Sequence, residues 1–445
     1  MMAKDTPTIL IIIGITGDLS KRKLLPAIEQ IVKANAAPEL FKIVGITRRQ
    51  ITKNEVLVSV KSRAPHHFLD KNLDMFQMDL TEAKDYKNLK SYLQKLENEL
   101  GPRTQRLFYL SVPPQLSQPI IELLGTSGLA RHRSTKLLLE KPFGTDFSSA
   151  KDLIARTTKY FKEVQIYRID HYLAKEMSQN FIVFRDANYI FNHSWNNDFI
   201  EKIEIIASEK IGIEGRAIFY EQTGALRDTV QSHLLQLAAL TLMENPEAEK
   251  LEEVPARRLR ALKQLHIPTD MTPDSYAQCG QYEGYRDEVN NPGSTVETFV
   301  RLRLHSSDPR WEGVPIELVT GKSLAEKLTQ IQITYKKGEQ HESNQLIINV
   351  QPNEGIELRL WTKVPSYERR IDRHSLKLSF RDHFDVLPEA YEWVFLDAIN
   401  SNHTLFTTSE EVLETWRIIE PIRQAWETKP ESLIIYKSGT LAEDL

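Results

Sequence analysis

Cysteine is almost absent from this sequence, with Cys279 the only one in 445 residues. That excludes an intrachain disulfide, a thiolate zinc cluster and a CxxC redox pair, and it fits a reducing compartment. Long apolar runs are missing too. The run Ile9–Ile13 is too brief for a membrane span or a signal-peptide core, so the expected location is the cytoplasm, with no membrane partner. An excess of cations is also lacking: 57 Lys and Arg against 61 Asp and Glu leave a net charge of −4, which argues against a nucleic-acid partner. A local basic pocket for a small anion remains compatible with that balance. Ligand spacings such as HExxH or an EF-hand loop do not occur, so no metal is expected. Repeats and low-complexity tracts are likewise missing. Hydrophobic residues at 41% and charged residues at 27% are ordinary globular proportions, and the length exceeds what one core serves, which predicts two domains.

The first part of the chain repeats one rhythm: a short β-branched run, a turn, then a segment of helical period. Strands are predicted at Thr8–Ile13, Phe41–Ile46, Asp74–Met78, Arg106–Val112, Thr135–Leu139 and Val164–Ile169, with helices such as Asp18–Ala34 and Glu82–Leu100 between them. This is the pattern of a doubly wound parallel sheet of Rossmann type, whose ligands sit beyond the carboxyl ends of the strands. Further on the runs alternate, at Ile200–Ser208, Thr298–His305, Thr329–Tyr335, Gln345–Val350 and Ile356–Trp361, which predicts a mostly antiparallel sheet. Helices are expected over Ala225–Met243 and twice within Leu387–Trp426, with a turn at Asn290–Ser294. The expected fold class is therefore α/β plus α+β. Residues 1–177 form the Rossmann-type domain, and 178–445 form a larger domain whose antiparallel sheet is covered by helices.

The turn after the first strand reads Gly14-Ile15-Thr16-Gly17-Asp18-Leu19. A glycine turn between strand and helix can present backbone N–H groups and a helix N-terminus to a pyrophosphate. It departs from GxGxxG in having Thr16 where the second glycine would stand. After the second strand, where an NAD enzyme carries an acid for the ribose hydroxyls, this chain has Arg48 and Arg49. As isolated residues they would read as solvated charges; in that position they suit the 2′-phosphate of NADP, with weaker use of NAD. After the sixth strand comes the densest polar stretch, Arg168-Ile169-Asp170-His171-Tyr172-Leu173-Ala174-Lys175-Glu176. A helix beginning near His171 would put His171 and Lys175 one turn apart beside Tyr172, an anion site suited to a phosphate monoester.

Several blocks together resemble the glucose-6-phosphate dehydrogenase family: Gly14-x-Thr16-Gly17-Asp18-Leu19-Ser20-Lys21-Arg22-Lys23, Glu140-Lys141-Pro142-Phe143-Gly144, the Arg168–Glu176 stretch, and the run from Gly224 through Asp228 and His233 to Gln236. Gly313-Val314-Pro315, Gly321-Lys322 and Val350-Gln351-Pro352-Asn353-Glu354 extend the match over nearly the whole chain. The resemblance implies oxidation of glucose 6-phosphate to the 6-phosphogluconolactone with NADP as cofactor. It makes His233 the general base and Asp170 its partner, with His171, Tyr172 and Lys175 holding the phosphate. Lys141, Glu209, Asp228, Lys322 and Gln351 would bind the sugar or its phosphate. Gly14, Thr16, Gly17, Asp18, Leu19, Lys23, Arg48 and Lys141 would meet the cofactor. Without the family, His233 reads as a core histidine in an apolar helix. A homodimer or a dimer of dimers through the second domain's sheet is also implied.

Two departures stand out. Ala174 replaces the family's glycine in the DHYLGKE stretch, and the added methyl would loosen substrate binding where that backbone meets a ligand. The chain also ends soon after Gly439, without the longer tail of some members, so no second, structural NADP site is expected. The competing readings are a dehydrogenase of another aldose phosphate and a non-catalytic sensor of NADP or sugar phosphate on the same fold.

Overall fold

The computed structural model describes residues 6–60, 66–132, 134–338, 342–429 and 432–445. They form two compact units: Met1–Gly144 with Ser148–Ala174 and Pro388–Ser409, and Thr145–Phe147 with Lys175–Leu387 and Glu410–Leu445.

The first unit is built on a seven-stranded sheet. Its parallel strands are β1 (Thr8–Ile13), β2 (Phe41–Thr47), β3 (Leu73–Gln77), β4 (Gln105–Leu110), β5 (Thr135–Leu139) and β6 (Ile166–Ile169), ordered β6-β5-β4-β1-β2-β3. The order reverses at β1, between β2 and β4. All six residues of β1 are buried, as a strand covered on both faces must be. Its side chains divide with period two: Leu10 and Ile12 join one apolar cluster, while Ile9, Ile11 and Ile13 join the other. Each such side chain stabilises the fold by about 1.5–3 kcal/mol on burial. The helix Leu25–Lys33 fills the first cluster together with Ala390–Asn400, a helix contributed from far along the chain. That returning segment also adds a two-residue strand, Phe406–Thr407, antiparallel to β6 and outside the sequence expectation.

Two local expectations change. The predicted helix from Asp18 is wound as a π-helix over Ser20–Leu24 before becoming α-helical, with the amide of Leu25 bonded to the carbonyl of Ser20. The helix predicted to begin near His171 instead starts at Glu176, and residues 171–174 form a turn. The Asp170 Oδ1 accepts from the Tyr172 amide at 2.8 Å and its carbonyl accepts from the Ala174 amide at 3.2 Å, closing a single turn that ends where Lys175 takes extended backbone. His171 and Lys175 therefore do not share a helical face.

The second unit carries a ten-stranded sheet, mostly antiparallel. Its strands are β7 (Ile200–Ser208), β8 (Leu265–His266), β9 (Ala277–Tyr282), β10 (Phe299–Ser306), β11 (Ile316–Gly321), β12 (Leu328–Tyr335), β13 (Gln345–Gln351), β14 (Gly355–Lys363), β15 (Ile371–Ser379) and β17 (Leu433–Tyr436), where β17 counts Phe406–Thr407 of the first unit as β16. Two neighbouring pairs are parallel, β7 with β11 and β9 with β17. The predicted helix over Ala225–Met243 is present but divided, π-wound over Leu226–Leu234 and α-helical over Leu235–Leu242. Every residue of Leu235–Leu242 is buried, as expected of a helix apolar on all sides.

Candidate functional site

In the first unit the residues picked out from the sequence gather at the carboxyl ends of β1, β2, β5 and β6. Gly14 follows β1 with φ of 94°, and a Cβ there would stand 2.1 Å from the carbonyl oxygen of Ser111. Only glycine fits so close a passage. The turn is closed by the Gly17 amide on the Gly14 carbonyl at 2.9 Å and by Ser20 Oγ, which donates to the same carbonyl at 3.1 Å. Thr16 and Gly17 lie half-exposed on this turn, and Asp18 and Leu19 open the helix that follows. Gly45, inside β2, lets Ile15 pack against the strand: a Cβ there would lie 2.9 Å from Ile15 Cγ1.

Arg48 lies just past the end of β2 and is exposed; its carbonyl accepts from Gln77 Nε2 at 3.2 Å. Asp18 pairs with Arg22 at 2.6 Å, and Lys23 Nζ meets Glu389 Oε2, also at 2.6 Å. Both pairs are exposed and hold their side chains only weakly.

After β5, Glu140 precedes Lys141, whose peptide bond to Pro142 is cis. The Glu140 carboxylate accepts hydrogen bonds from the phenols of Tyr109 and Tyr391, and its burial pushes its pKa up. Lys141 thus follows a carboxylate clamped by a strand and by the returning helix. After β6, Asp170 is buried, and the rings of His171 and Tyr172 stand edge to face with centroids 5.0 Å apart. Ala174 is wholly buried within the apolar cluster beneath the sheet, so its methyl is packing against side chains.

In the second unit the register of the sheet explains the site. Ser208 and Gly321 are neighbours at the ends of the parallel pair β7 and β11, so the next residues, Glu209 and Lys322, emerge side by side. Lys322 Nζ donates to Glu209 Oε1 at 2.8 Å and lies 5.4 Å from the centre of the Tyr220 ring. Burial pushes the Tyr220 hydroxyl far up, with the charges of Asp228 and Glu209 adding to it. That places Asp228, Glu209, Tyr220 and Lys322 in one neighbourhood. Gln351 stands opposite Thr329 on β12 and donates to its Oγ1 at 3.1 Å, while Thr329 in turn faces Ala207 near the end of β7.

Asp228 and His233 sit on the π-wound stretch, which packs against β7, β10 and β11. In an α-helix, residues five apart point about 140° away from each other. The wider i→i+5 winding makes five residues close to one turn, which brings the two toward one face. Its start is set by Gly224, with φ of 63°, where a Cβ would meet Glu297 Oε1 at 2.3 Å. Glu297 Oε1 accepts from the Leu226 amide at 2.9 Å, holding the first turn. His233 is buried, with 3% of its surface exposed. Lys175 precedes the helix Glu176–Ala187 as its capping residue, with extended backbone.

Sequence reasoning passes over Tyr220, Glu140, Tyr391 and Glu389. Glu140 adjoins Lys141 within a quoted block and Tyr220 lies four residues before Gly224, so both were within reach. Tyr391 and Glu389 arrive from the returning helix, and no local pattern announces them.

The chain matches the model of the glucose-6-phosphate dehydrogenase NAD binding domain over residues 11–180 and that of the glucose-6-phosphate dehydrogenase C-terminal domain over residues 182–444. It is 34% identical to a glucose-6-phosphate 1-dehydrogenase of Chlamydia muridarum, with 98% of this chain and 93% of that protein covered. Identity to the enzyme of that name from Bacillus subtilis is 35%, over 97% and 94% of the two chains. Among solved structures, a glucose-6-phosphate dehydrogenase in complex with its substrate glucose-6-phosphate superposes with a TM-score of 0.90 at 28% identity, covering 98% of this chain and 95% of that one. Both domains, in order and over nearly their full length, place this chain in the glucose-6-phosphate dehydrogenase family.

Proposed function

We propose that this chain oxidises D-glucose 6-phosphate at C1 to 6-phospho-D-glucono-1,5-lactone with NADP as acceptor. The observation that carries the reading is His233, buried on the π-wound stretch with Asp228, in a chain that matches the family from residue 11 to residue 444. An imidazole is the side chain chemically suited to take a proton from an alcohol near neutral pH.

The residues present fit the cofactor. The Gly14 turn packs its backbone tightly against Ser111 and leaves Thr16 and Gly17 half-exposed at the head of the helix, and the exposed Arg48 offers a cation where an acid would reject a 2′-phosphate. Gly14, Thr16, Gly17, Asp18, Leu19, Lys23, Arg48 and Lys141 would hold it. When bound, NADP accepts the hydride that leaves C1.

Everything else falls to the side chains. His233 takes the proton of the C1 hydroxyl on its ring nitrogen, and Asp170 is assigned the role of holding that ring and stabilising its charged form. His171, Tyr172 and Lys175 bind the 6-phosphate, and Lys322 adds a cation. Its Glu209 partner, with Asp228 and Gln351, accepts from or donates to the sugar hydroxyls. Residues 1–177 carry the cofactor and, through His171, Tyr172 and Lys175, the 6-phosphate, while 178–445 supply His233 and the groups that meet the sugar.

The test compares kcat/KM for glucose 6-phosphate, mannose 6-phosphate and galactose 6-phosphate by NADPH absorbance. Glucose 6-phosphate should lead by at least tenfold. Preference for another sugar would reassign the enzyme to that aldose phosphate, and no NADPH with any of them would leave a sensor on the same fold. We assign the outer strands of the second unit's sheet to a homodimer or a dimer of dimers, since Leu376 and Leu378 of β15 are 63% and 44% exposed. Light scattering on the eluting peak checks this, a monomer being the contrary result. Among the described residues no helix is long and apolar enough to cross a membrane.

A further inference from the structure

Several strands of the second unit meet at one end of its sheet. Glu209 follows β7, Lys322 follows β11, and β17 closes with Tyr436 opposite Tyr282, the last residue of β9, in parallel register. Thr298 joins them from the other direction, just before β10 begins opposite Gly321. One line of hydrogen bonds connects this end. The Tyr282 amide donates to Thr298 Oγ1 at 3.0 Å, the hydroxyls of Thr298 and Tyr436 meet at 2.9 Å, and the Tyr436 hydroxyl donates to the Lys322 carbonyl at 2.7 Å. The Lys322 amide donates in turn to the Thr298 carbonyl at 2.9 Å. Tyr436 and Lys322 are both buried, and burial pushes the Tyr436 hydroxyl up, so it stays an uncharged donor.

Beyond Lys322 the backbone turns sharply. Ser323 takes a φ of 56°, a setting that serine rarely adopts and that persists only where its surroundings hold it. The segment after β17 does part of the holding: the Gly439 amide donates to the Ser323 carbonyl at 2.8 Å, and the Ala325 amide to the Thr440 carbonyl at 3.0 Å. From the other side the carbonyls of Ile211 and Glu209 accept from the amides of Ser323 and Leu324, each at 2.9 Å. A lysine side chain is long and flexible, so where its ammonium stands depends on how firmly its backbone is held. We propose that Tyr436 is a positioning residue for sugar-phosphate binding: together with residues 438–440 it clasps the backbone of Lys322 and fixes the place of the ammonium. The inference rests on the role given to Lys322 above, and Tyr436 acts through that residue.

The test is a double-variant cycle on the full chain, read as the affinity for glucose 6-phosphate by calorimetry, with kcat and KM measured beside it. Tyr436→Phe keeps the ring packed against Phe299 and Tyr282 and removes only the hydroxyl. Losing that buried hydrogen bond should weaken binding by about fivefold and change kcat by less than about twofold. In the Lys322→Gln background the same substitution should change affinity by less than about 1.5-fold, because residues acting as one unit are not additive. Tyr282→Phe removes a neighbouring buried hydroxyl that pairs with Glu288 and the Ile213 amide, and this variant should bind like the parent. A Tyr436→Phe protein with parental affinity overturns the proposal. So does a fivefold loss that persists in the Lys322→Gln background, or an equal loss in Tyr282→Phe. If Tyr436→Phe does not fold, Ser438→Ala removes only the exposed hydroxyl pair with Ser323 and runs the same cycle, with about twofold in place of fivefold. A parent that binds the sugar phosphate and makes no NADPH contradicts the dehydrogenase reading, while the affinities still decide the role of Tyr436.

Discussion

Lys322 Nζ is bonded to Glu209 Oε1 at 2.8 Å because the parallel register of β7 and β11 brings the two strands to an end together. The lysine side chain is 3% exposed and its partner 35%, so the cation is held inside while the carboxylate reaches outward. That asymmetry suits a residue that presents charge to an anionic ligand from a fixed position. Lys322→Gln should therefore raise KM for glucose 6-phosphate by at least tenfold with a smaller change in kcat. Glu209→Gln keeps the hydrogen-bond acceptor and should change KM less. Steady-state kinetics on both variants checks this, and a larger KM effect from Glu209→Gln would reverse the assignment.

The cofactor assignment turns on Arg48, exposed beyond β2. Each charge-assisted contact to a 2′-phosphate contributes about 1.5–3 kcal/mol, enough for tenfold or more in affinity. Arg48→Ala should lower the ratio of kcat/KM for NADP over NAD at least tenfold while leaving the NAD value near parental. An unchanged ratio moves the recognition elsewhere, with Arg49 the next residue to test.

Lys175 caps a helix with extended backbone and is not a residue within it. Its ammonium is expected to matter only when the sugar carries a dianion. Lys175→Ala should reduce use of glucose 6-phosphate about a hundredfold and use of unphosphorylated glucose hardly at all. Equal losses on the two sugars would make Lys175 a support for folding.

These expectations show how much the sequence reveals and where it stops. The six parallel strands were legible because short apolar runs such as Thr8–Ile13 and Thr135–Leu139 recur between segments of helical period. The winding of the functional helices was not. Ser20–Leu24 and Leu226–Leu234 carry helical periodicity, and nothing in it separates i→i+4 from i→i+5; Gly224 and Glu297, which set the second one, act through tertiary contact. The helix expected to begin near His171 makes only one turn, over residues 171–174, because Lys175 takes extended backbone before Glu176 restarts it, and no residue pattern signals that break. Strand β17, which pairs with β9, and the packing of Ala390–Asn400 into the first unit likewise depend on partners distant along the chain.

One buried acid gives a pH test of stability. Burial pushes the Asp397 carboxyl up to about 6, against a hydrogen bond from Asn402 that favours its charged form. The folded state therefore holds the proton more tightly than the unfolded chain, whose carboxyl titrates near 4, and stability falls as pH rises from about 4 through about 6. The loss at neutral pH is about 3 kcal/mol. Asp397→Asn should be more stable than the parent by about 1–3 kcal/mol at pH 7.5 and no more stable near pH 4. Urea denaturation at both values checks this; an equal difference at the two contradicts it.

His233 carries the central claim, and its removal tests the account most directly. His233→Asn preserves a polar side chain of similar reach but cannot accept the C1 proton near neutral pH. Stopped-flow and steady-state assays should show kcat lowered by about 10²–10⁴-fold, the range for loss of a general base, with Kd for glucose 6-phosphate changed less than about threefold. Asp170→Asn should lower kcat as well, by less. Near-parental turnover in a folded His233→Asn protein would contradict the account, and His233 would then be a core histidine of its apolar helix.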